Sequence, residues 1–514
     1  MNSVERGNSR LHRAAAYPPR SAGTSIQGYK SKLDLDNISE ISTLNFFEET
    51  AGCITPFYKK IYSQSDRSFS LNTGAVTICQ TGLKPLNLPS VKFCSYKILQ
   101  TPAEITYAKT SKPSRKEIKM QAVILAGGFG TRLSHVVKDV PKPMAPIRDI
   151  PFLKYQYDYL VSRGFDSFVL LTGYKSNVIE DYFRDYSNVV CIREETPLGT
   201  AGALLNAYEH LEPEFLLLNG DTFFSADFSL LYDCKKRIAS GPSAMLALKY
   251  TENIDRYGFV EISGEYRVER FIEKGALPAD QIDGYINAGA YLMDRELLTA
   301  YLKDFNRNFI SLETELFPRM IENGQLYGLP LGGSFIDIGI PDDYYRAQDL
   351  IPSTMALTPR PALFVDKDGT LIVDSGYVHG DDFRPIPESE KMVEEYVRKG
   401  YYLVLITNQA GVAKNKFSED DMNRNIELLL KHYEQLGLKF DDAEYCTWCA
   451  EAVLEKYRFR SLARKPYPGM ILKACEKLPI DLRHSVMVGD KPDVDRIALP
   501  YLECIIVEPN RGCN

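Results

Sequence analysis

Three stretches of this sequence carry residues that could act on phosphate. The run Leu125-Ala126-Gly127-Gly128-Phe129-Gly130-Thr131-Arg132-Leu133 follows an apolar segment and should lead into a helix. Glycines such as Gly127, Gly128 and Gly130, with Thr131 beside them, let backbone N–H groups close around phosphate oxygens, and a helix N-terminus adds partial positive charge. Arg132 and Lys142, the latter in Pro141-Lys142-Pro143-Met144, supply cations suited to a triphosphate. No Gly-Lys-Ser/Thr follows, so this is not a Walker-type loop. A glycine-rich turn alone is equally well structural; Arg132 and the Pro-Lys-Pro segment give it chemical meaning. Further on, Asp221 ends one apolar run and Asp337 follows another. Either alone reads as a solvated turn aspartate, but two such carboxylates can hold Mg2+ between them.

The third stretch is Phe364-Val365-Asp366-Lys367-Asp368-Gly369-Thr370, an apolar strand ending in two aspartates one residue apart. Alternate residues at a strand end project to the same side, so both carboxylates can face one substrate. That suits a phosphatase in which Asp366 attacks phosphorus while Asp368 protonates the leaving alkoxide and then activates water. Taken alone, the same run also fits a calcium-type loop.

The elements that must position these residues are legible as alternating patterns. MQAVILAGG, FDSFVLLTG, EFLLLNGD and SAMLALKY are continuous apolar runs, the first three ended by Gly or Asp, as strands buried on both faces should be. Helical stretches lie between them. PALFVDKDGT, YYLVLITNQ and SVMVGD repeat the theme, with polar residues at the strand's C-terminal end, where open α/β sheets place their sites. The fold class expected is α/β, with two doubly wound (Rossmann-like) domains in tandem. Their bounds are 120–349 and 362–510, and the proline-containing 350–361 is the linker. Residues 1–119 read as a poorly structured extension in which no chemistry is visible. Their Arg- and Ser-rich, acid-poor start admits an organelle transit peptide, but without an amphipathic helix the expectation is an extension or a start assigned upstream of Met120.

Bulk properties narrow the class. The chain has 514 residues, too many for one core. Residues 1–119 carry 17 Lys and Arg against 9 Asp and Glu, and the remainder 44 against 59, so the enzyme body is acidic and nucleic acid is not expected as a partner. No window approaches the roughly 18 apolar residues that would span a bilayer. No secretory core opens the chain, so a cytoplasmic protein without a membrane partner is expected. Ten cysteines lie scattered without an even framework, which fits reduced thiols. The sequence does not report oligomeric state.

The order of these motifs carries a resemblance. GGFGTRL with PKPMAPI is similar to nucleotidyltransferases acting on sugar 1-phosphates. The match continues through Pro197–Gly202, Asn219-Gly220-Asp221, Arg256-Tyr257-Gly258, Glu273-Lys274, Ile286–Gly289 and Phe335–Gly339. Within that group VVKDVPKPMAPI, LNGDTFF and FIDIGIPDDY most resemble D-glycero-alpha-D-manno-heptose 1-phosphate guanylyltransferases, with mannose- and glucose-1-phosphate enzymes as competitors. The resemblance implies that Gly199, Thr200 and their neighbours pack against base and ribose. It implies that Gly258, Glu273 and Asn287 bind sugar hydroxyls, that Lys274 binds the sugar phosphate, and that Asp221 and Asp337 hold Mg2+. Guanine rests on family likeness, since no residue reads the base.

The second half resembles the haloacid dehalogenase superfamily. Thr407-Asn408-Gln409 would donate to phosphoryl oxygens, Arg464-Lys465-Pro466 supplies a cation, and Asp490 completes a Mg2+ site with Asp366 and Asp368. Gly376–His379, TNQAGVAKNKF and RKPYPGM are similar to D-glycero-D-manno-heptose 1,7-bisphosphate 7-phosphatases and their histidinol-phosphatase relatives. Two departures stand out. The family's zinc loop is reduced to Cys446 and Cys449, with Ser461-Leu462-Ala463 where the second pair belongs, so no structural zinc is expected. The acid often found four residues after Asp490 is Val494 here, and Asp495 fits a longer spacing.

Together the two halves imply consecutive steps of GDP-heptose synthesis from heptose phosphates and GTP, for lipopolysaccharide, capsule or surface-layer glycans. A mannose- or other hexose-1-phosphate nucleotidyltransferase fused to a histidinol-phosphate-type phosphatase is the alternative, and a catalytically silent nucleotide-sugar-binding regulator a third.

Overall fold

Strand by strand, the apolar runs become the centres of two sheets. The computed structural model describes residues 120–128, 130, 133, 135–252, 259–272, 281–302 and 309–508, all within one compact unit, Ser111–Asn514. The expected extension at 1–119 lies outside the described residues. The parallel part of the first sheet comprises β1 (Gln121–Ala126), β2 (Ser167–Thr172), β3 (Val189–Arg193) and β4 (Glu214–Asn219). β1 sits between β2 and β4, and β3 lies outside β2. Helices α1 (Phe152–Ser162), α2 (Ser176–Phe183) and α3 (Gly199–Asn206) make the crossovers. Ala122, Ile124 and Ala126 pack into one apolar cluster and Val123 into another, so β1 is buried on both faces, as its unbroken apolar run requires.

Beyond β4 the sheet becomes mixed. A short strand β5 (Thr222–Phe224) and helix α4 (Ser229–Ile238) lead to β6 (Ala244–Thr251), β7 (Phe259–Ile262), β8 (Val268–Ile272) and β9 (Gly284–Asp294). β9 runs antiparallel to β4, β6 and β7. Helices α5 (Arg295–Leu302) and α6 (Phe317–Glu322) precede β10 (Leu326–Pro330), which pairs in parallel with β6. Outside the main sheet, β11 (Phe335–Asp337) pairs antiparallel with β5.

Helix α7 (Pro341–Met355) runs into the stretch expected as a linker and passes through Pro352. A proline inside a helix cannot donate to the carbonyl four residues back. That carbonyl, of Gln348, instead accepts from Arg148 Nε at 3.1 Å. The helix therefore continues, and only 356–361 connects the halves.

The second sheet is wholly parallel. Its strands are β12 (Ala362–Val365), β13 (Tyr402–Asn408), β14 (Asp442–Cys446), β15 (Val486–Gly489) and β16 (Glu503–Ile506), in the spatial order β14-β13-β12-β15-β16. Helices α8 (Pro387–Arg398), α9 (Ala410–Ala413), α10 (Glu419–Gln435), α11 (Gly469–Lys477) and α12 (Pro492–Asp495) lie between them. One apolar cluster joins the halves, with Leu246, Leu248 and Tyr250 of β6 grouped with Ile471, Ala474 and Cys475 of α11. The approach is close: a Cβ on Gly332 would lie 2.7 Å from Cys475 Sγ. No helix of the described residues is long and apolar enough to cross a membrane.

Candidate active sites at two sets of strand ends

The β5–β11 pairing builds the first site. Asp337 lies opposite Thr222, and Ile338 N–H donates to the Asp221 carbonyl at 3.0 Å, so Asp221 and Asp337 are brought side by side. Lys142, at the start of a short 3-10 turn, places Nζ 2.5 Å from Asp221 Oδ2 and 3.5 Å from Asp337 Oδ1. Gly130 makes that approach possible: its φ is +58°, and a Cβ there would fall 2.8 Å from Lys142 Cβ. Burial, then the charge of Asp221, raises the Asp337 carboxyl above the ordinary range against the pull of Lys142. Two neighbouring carboxylates, one of them disfavoured as a lone anion, form a donor set that fits Mg2+.

These groups line a cavity of about 520 Å3, together with Gly127, Gly128, Glu194, Gly199, Thr200, Asn219, Phe309 and Glu313. Gly199 has φ +73°, and a Cβ on it would lie 2.4 Å from the Ile310 carbonyl oxygen. The Thr200 hydroxyl accepts from Leu312 N–H at 2.8 Å, so this turn holds the segment that carries Phe309 and Glu313 to the cavity. Asn287 is not among the lining residues. Its Oδ1 accepts from Gly289 N–H and its Nδ2 donates to the Tyr291 hydroxyl, both at 3.0 Å. Thr131, Arg132, Gly258, Glu273 and Lys274 lie outside the described residues.

Glu194 is a wall of this cavity that the sequence reading missed. A Cβ on Gly127 or on Gly173 would lie 2.6 Å from its Oε1, and its Oε2 accepts from Leu198 N–H at 3.2 Å. Sequence offered only a Glu-Glu-Thr-Pro run before Gly199, indistinguishable from a solvated loop.

The second site sits at the C-terminal ends of β12, β13 and β15. Asp366 N–H donates to the Val488 carbonyl at 2.9 Å, fixing the turn out of β12. Lys465 Nζ lies 2.7 Å from Asp366 Oδ1 and 2.6 Å from Asp495 Oδ1, with all three side chains buried. Carboxylate oxygens of Asp366, Asp490 and Asp495 lie within 4.8 Å of one another. Asp495 thus belongs to the site at the longer spacing, and Val494 does not substitute for it. Its second oxygen accepts from Lys491 N–H at 2.9 Å. A Cβ on Gly489 would be 2.2 Å from Asp495 Cγ, so glycine there is what lets this acid approach.

Both oxygens of Asp490 are buried without a hydrogen-bond partner, and Lys491 Nζ stands 3.7 Å from Oδ1. Burial, then the negative charges of Asp366 and Asp495, push Asp490 up to about 6 despite Lys491. Orphaned carboxylate oxygens beside two further acids fit a divalent cation. The side chain of Asp368, also expected at the metal, stands outside this group of three. Its Oδ1 accepts from Lys367 Nζ at 2.6 Å and its Oδ2 from Gln409 Nε2 at 3.1 Å, and burial raises its pKa.

The remaining expected residues take defined places. Thr407 Oγ1 accepts from Gln409 Nε2 at 2.9 Å. Asn408 clamps the backbone of Lys465, with Nδ2 donating to its carbonyl at 3.1 Å and Oδ1 accepting from its N–H at 3.0 Å. The Arg464 guanidinium reaches the Trp448 carbonyl at 3.5 Å. Gln409, expected to donate to phosphoryl oxygens, here donates to Asp368 and Thr407, and Lys367 was given no role although it stands inside the quoted motif. Cys449 Sγ donates to Glu451 Oε2 at 2.9 Å, and burial pushes the Cys446 thiol up to about 11.

A family model described as nucleotidyl transferase matches residues 121–354, and one described as HAD-hydrolase-like matches residues 462–498. The chain is 37% identical over 230 residues to a D-glycero-alpha-D-manno-heptose 1-phosphate guanylyltransferase of Campylobacter jejuni, spanning 44% of this chain and 98% of that protein. Identity to the Aneurinibacillus thermoaerophilus enzyme of the same description is 38% over 233 residues, 45% of this chain and 97% of that one. A mannose-1-phosphate guanylyltransferase catalytic subunit beta of Danio rerio is 35% identical over 234 residues, 44% of this chain and 62% of the relative.

Proposed function

The chain belongs to the nucleotidyl transferase family, and from that premise we propose a bifunctional enzyme of GDP-heptose synthesis. Its second half removes the 7-phosphate of D-glycero-D-manno-heptose 1,7-bisphosphate, and its first half transfers GMP from GTP to the resulting 1-phosphate, releasing pyrophosphate. The observation that carries this is the presence in one unit of two acid–lysine constellations, Lys142 with Asp221 and Asp337, and Lys465 with Asp366 and Asp495.

At both sites the acids fit Mg2+, which when bound supplies positive charge against phosphoryl oxygens. In the transferase half, Lys142 and the glycine turn hold the triphosphate while the sugar phosphate oxygen attacks the α-phosphorus, so catalysis is chiefly positioning and charge neutralisation. Glu194 offers an acceptor carboxylate to the cavity, and guanine presents adjacent N–H donors on one edge. In the phosphatase half, Asp366 attacks phosphorus and the bond to the sugar oxygen breaks. Asp368, whose raised pKa favours the protonated acid, gives its proton to that oxygen. As a carboxylate it then takes a proton from the water that releases phosphate from Asp366.

A mannose-1-phosphate reading is favoured by the similar identity of the Danio rerio relative. Pyrophosphate release with heptose 1-phosphate or mannose 1-phosphate, across the four nucleoside triphosphates, separates the two. A preference for heptose 1-phosphate with GTP is expected. Turnover of mannose 1-phosphate alone would move the enzyme to another route, and silence with every pair would return the regulator.

A further inference from the structure

The turn that delivers Lys465 is held partly by a residue of the other half. Asp283 precedes β9 in the first half and is 1% exposed. Its Oδ1 accepts from Leu462 N–H at 2.7 Å. Its Oδ2 accepts from the Ser461 hydroxyl, from Ala463 N–H at 3.4 Å and from the Tyr250 hydroxyl at 3.0 Å. Three of these four donors belong to Ser461–Ala463, the stretch standing where a second cysteine pair would be expected.

That stretch is the base of a closed turn. Arg464 N–H returns to the Ser461 carbonyl at 3.2 Å, and Gly469 N–H to the Leu462 carbonyl at 2.7 Å. A Cβ on Gly469 would lie 2.5 Å from that oxygen, so the closure is tight. From the opposite side Asn408 grips the Lys465 backbone. Lys465 therefore reaches Asp366 from a turn fixed at two points, one of them contributed by the transferase half.

We infer that Asp283 is a positioning residue for the phosphatase reaction, holding the Ser461–Ala463 turn so that Lys465 meets Asp366. This rests on the phosphatase reading of the second half. Two consequences distinguish it from simple docking. Loss of Asp283 should lower turnover without changing substrate affinity, because the turn orients a catalytic cation. Loss of a different contact between the halves should not. Arg483 supplies that comparison: its guanidinium bonds Asp233, Asp227 and Ser229 of the first half, away from the turn.

The experiment uses the full chain with Asp283→Ala, Asp283→Asn and Arg483→Ala, and Asp366→Asn as the blank. Mg2+-dependent hydrolysis of p-nitrophenyl phosphate and amide exchange at Leu462 and Ala463 are followed in each. The expected result is a fall in kcat of about 10-fold or more for Asp283→Ala at unchanged KM. Partial recovery is expected in Asp283→Asn, whose amide oxygen can still accept from Leu462, with faster exchange in the alanine variant and neither change in Arg483→Ala. Wild-type kcat in Asp283→Ala, or an equal fall in Arg483→Ala, overturns the inference. If Asp283→Ala does not fold, Asp283→Asn decides: wild-type kcat with unchanged exchange overturns it. If wild-type protein itself shows no hydrolysis, the phosphatase reading fails. Amide exchange then decides the anchor, and unchanged protection in the alanine variant refutes it.

Discussion

Lys465 and Asp366 form a buried ion pair, with Nζ 2.7 Å from Oδ1, and the same ammonium reaches Asp495 at 2.6 Å. One cation thus offsets two buried carboxylates, and its removal would take that counter-charge from both. Lys465→Met should therefore lower stability by about 3–5 kcal/mol in denaturant unfolding. Asp366→Asn should keep the fold and reduce phosphate release by about 10³-fold or more. Its pyrophosphate release should stay within about twofold of wild type if the two sites act independently. Loss of both activities in Asp366→Asn would contradict that independence.

Lys142 plays the corresponding part in the first half, between Asp221 and Asp337. Lys142→Ala should cut nucleotidyl transfer by about 10²–10³-fold, the scale of removing one preorganised charge donor. Hydrolysis should be untouched. A variant with normal pyrophosphate release would take Lys142 out of the reaction.

The acids of the second site predict a pH-dependent response to metal. Burial and neighbouring charges raise Asp490 to about 6, so the folded chain holds that proton more tightly than the unfolded chain does. The corresponding stability is complete below the ordinary carboxylate range and lost as pH rises through about 6. A bound cation takes the proton's place. Added Mg2+ should therefore raise Tm more at about pH 7.5 than at about pH 5. Equal shifts, or none in wild type with Asp366, Asp490 and Asp495 intact, would contradict a metal site there.

Glu194 should influence base choice. Exchanging its carboxylate for the amide in Glu194→Gln replaces one acceptor by a donor facing the guanine edge. The preference for GTP over ATP should fall at least about 10-fold. An unchanged preference would leave Glu194 as part of the Gly127–Gly173 wall only.

Much of this architecture could be read from sequence because its signals are local. The runs that became β1, β4, β12 and β15 are apolar on both faces, and the Asp and Gly residues that end them sit where parallel strands deliver a site. Asp221 and Asp337 were legible as a pair only through their order; the β5–β11 pairing that joins them is three residues long on each strand. Long-range contacts left no such trace. Asp283 and Ser461 are 178 positions apart, and nothing around either one announces the other. Pro352 pointed to a linker, but the helix runs through it, and the carbonyl the proline leaves unbonded accepts from Arg148, distant in sequence.

The most direct test gives the purified chain heptose 1,7-bisphosphate, GTP and Mg2+ together and measures nucleotide-sugar formation. The account predicts GDP-heptose, with phosphate and pyrophosphate released in equal amounts. Phosphate release without any nucleotide-sugar, or nucleotide-sugar only when heptose 1-phosphate is supplied ready-made, would contradict the claim that one chain performs both steps.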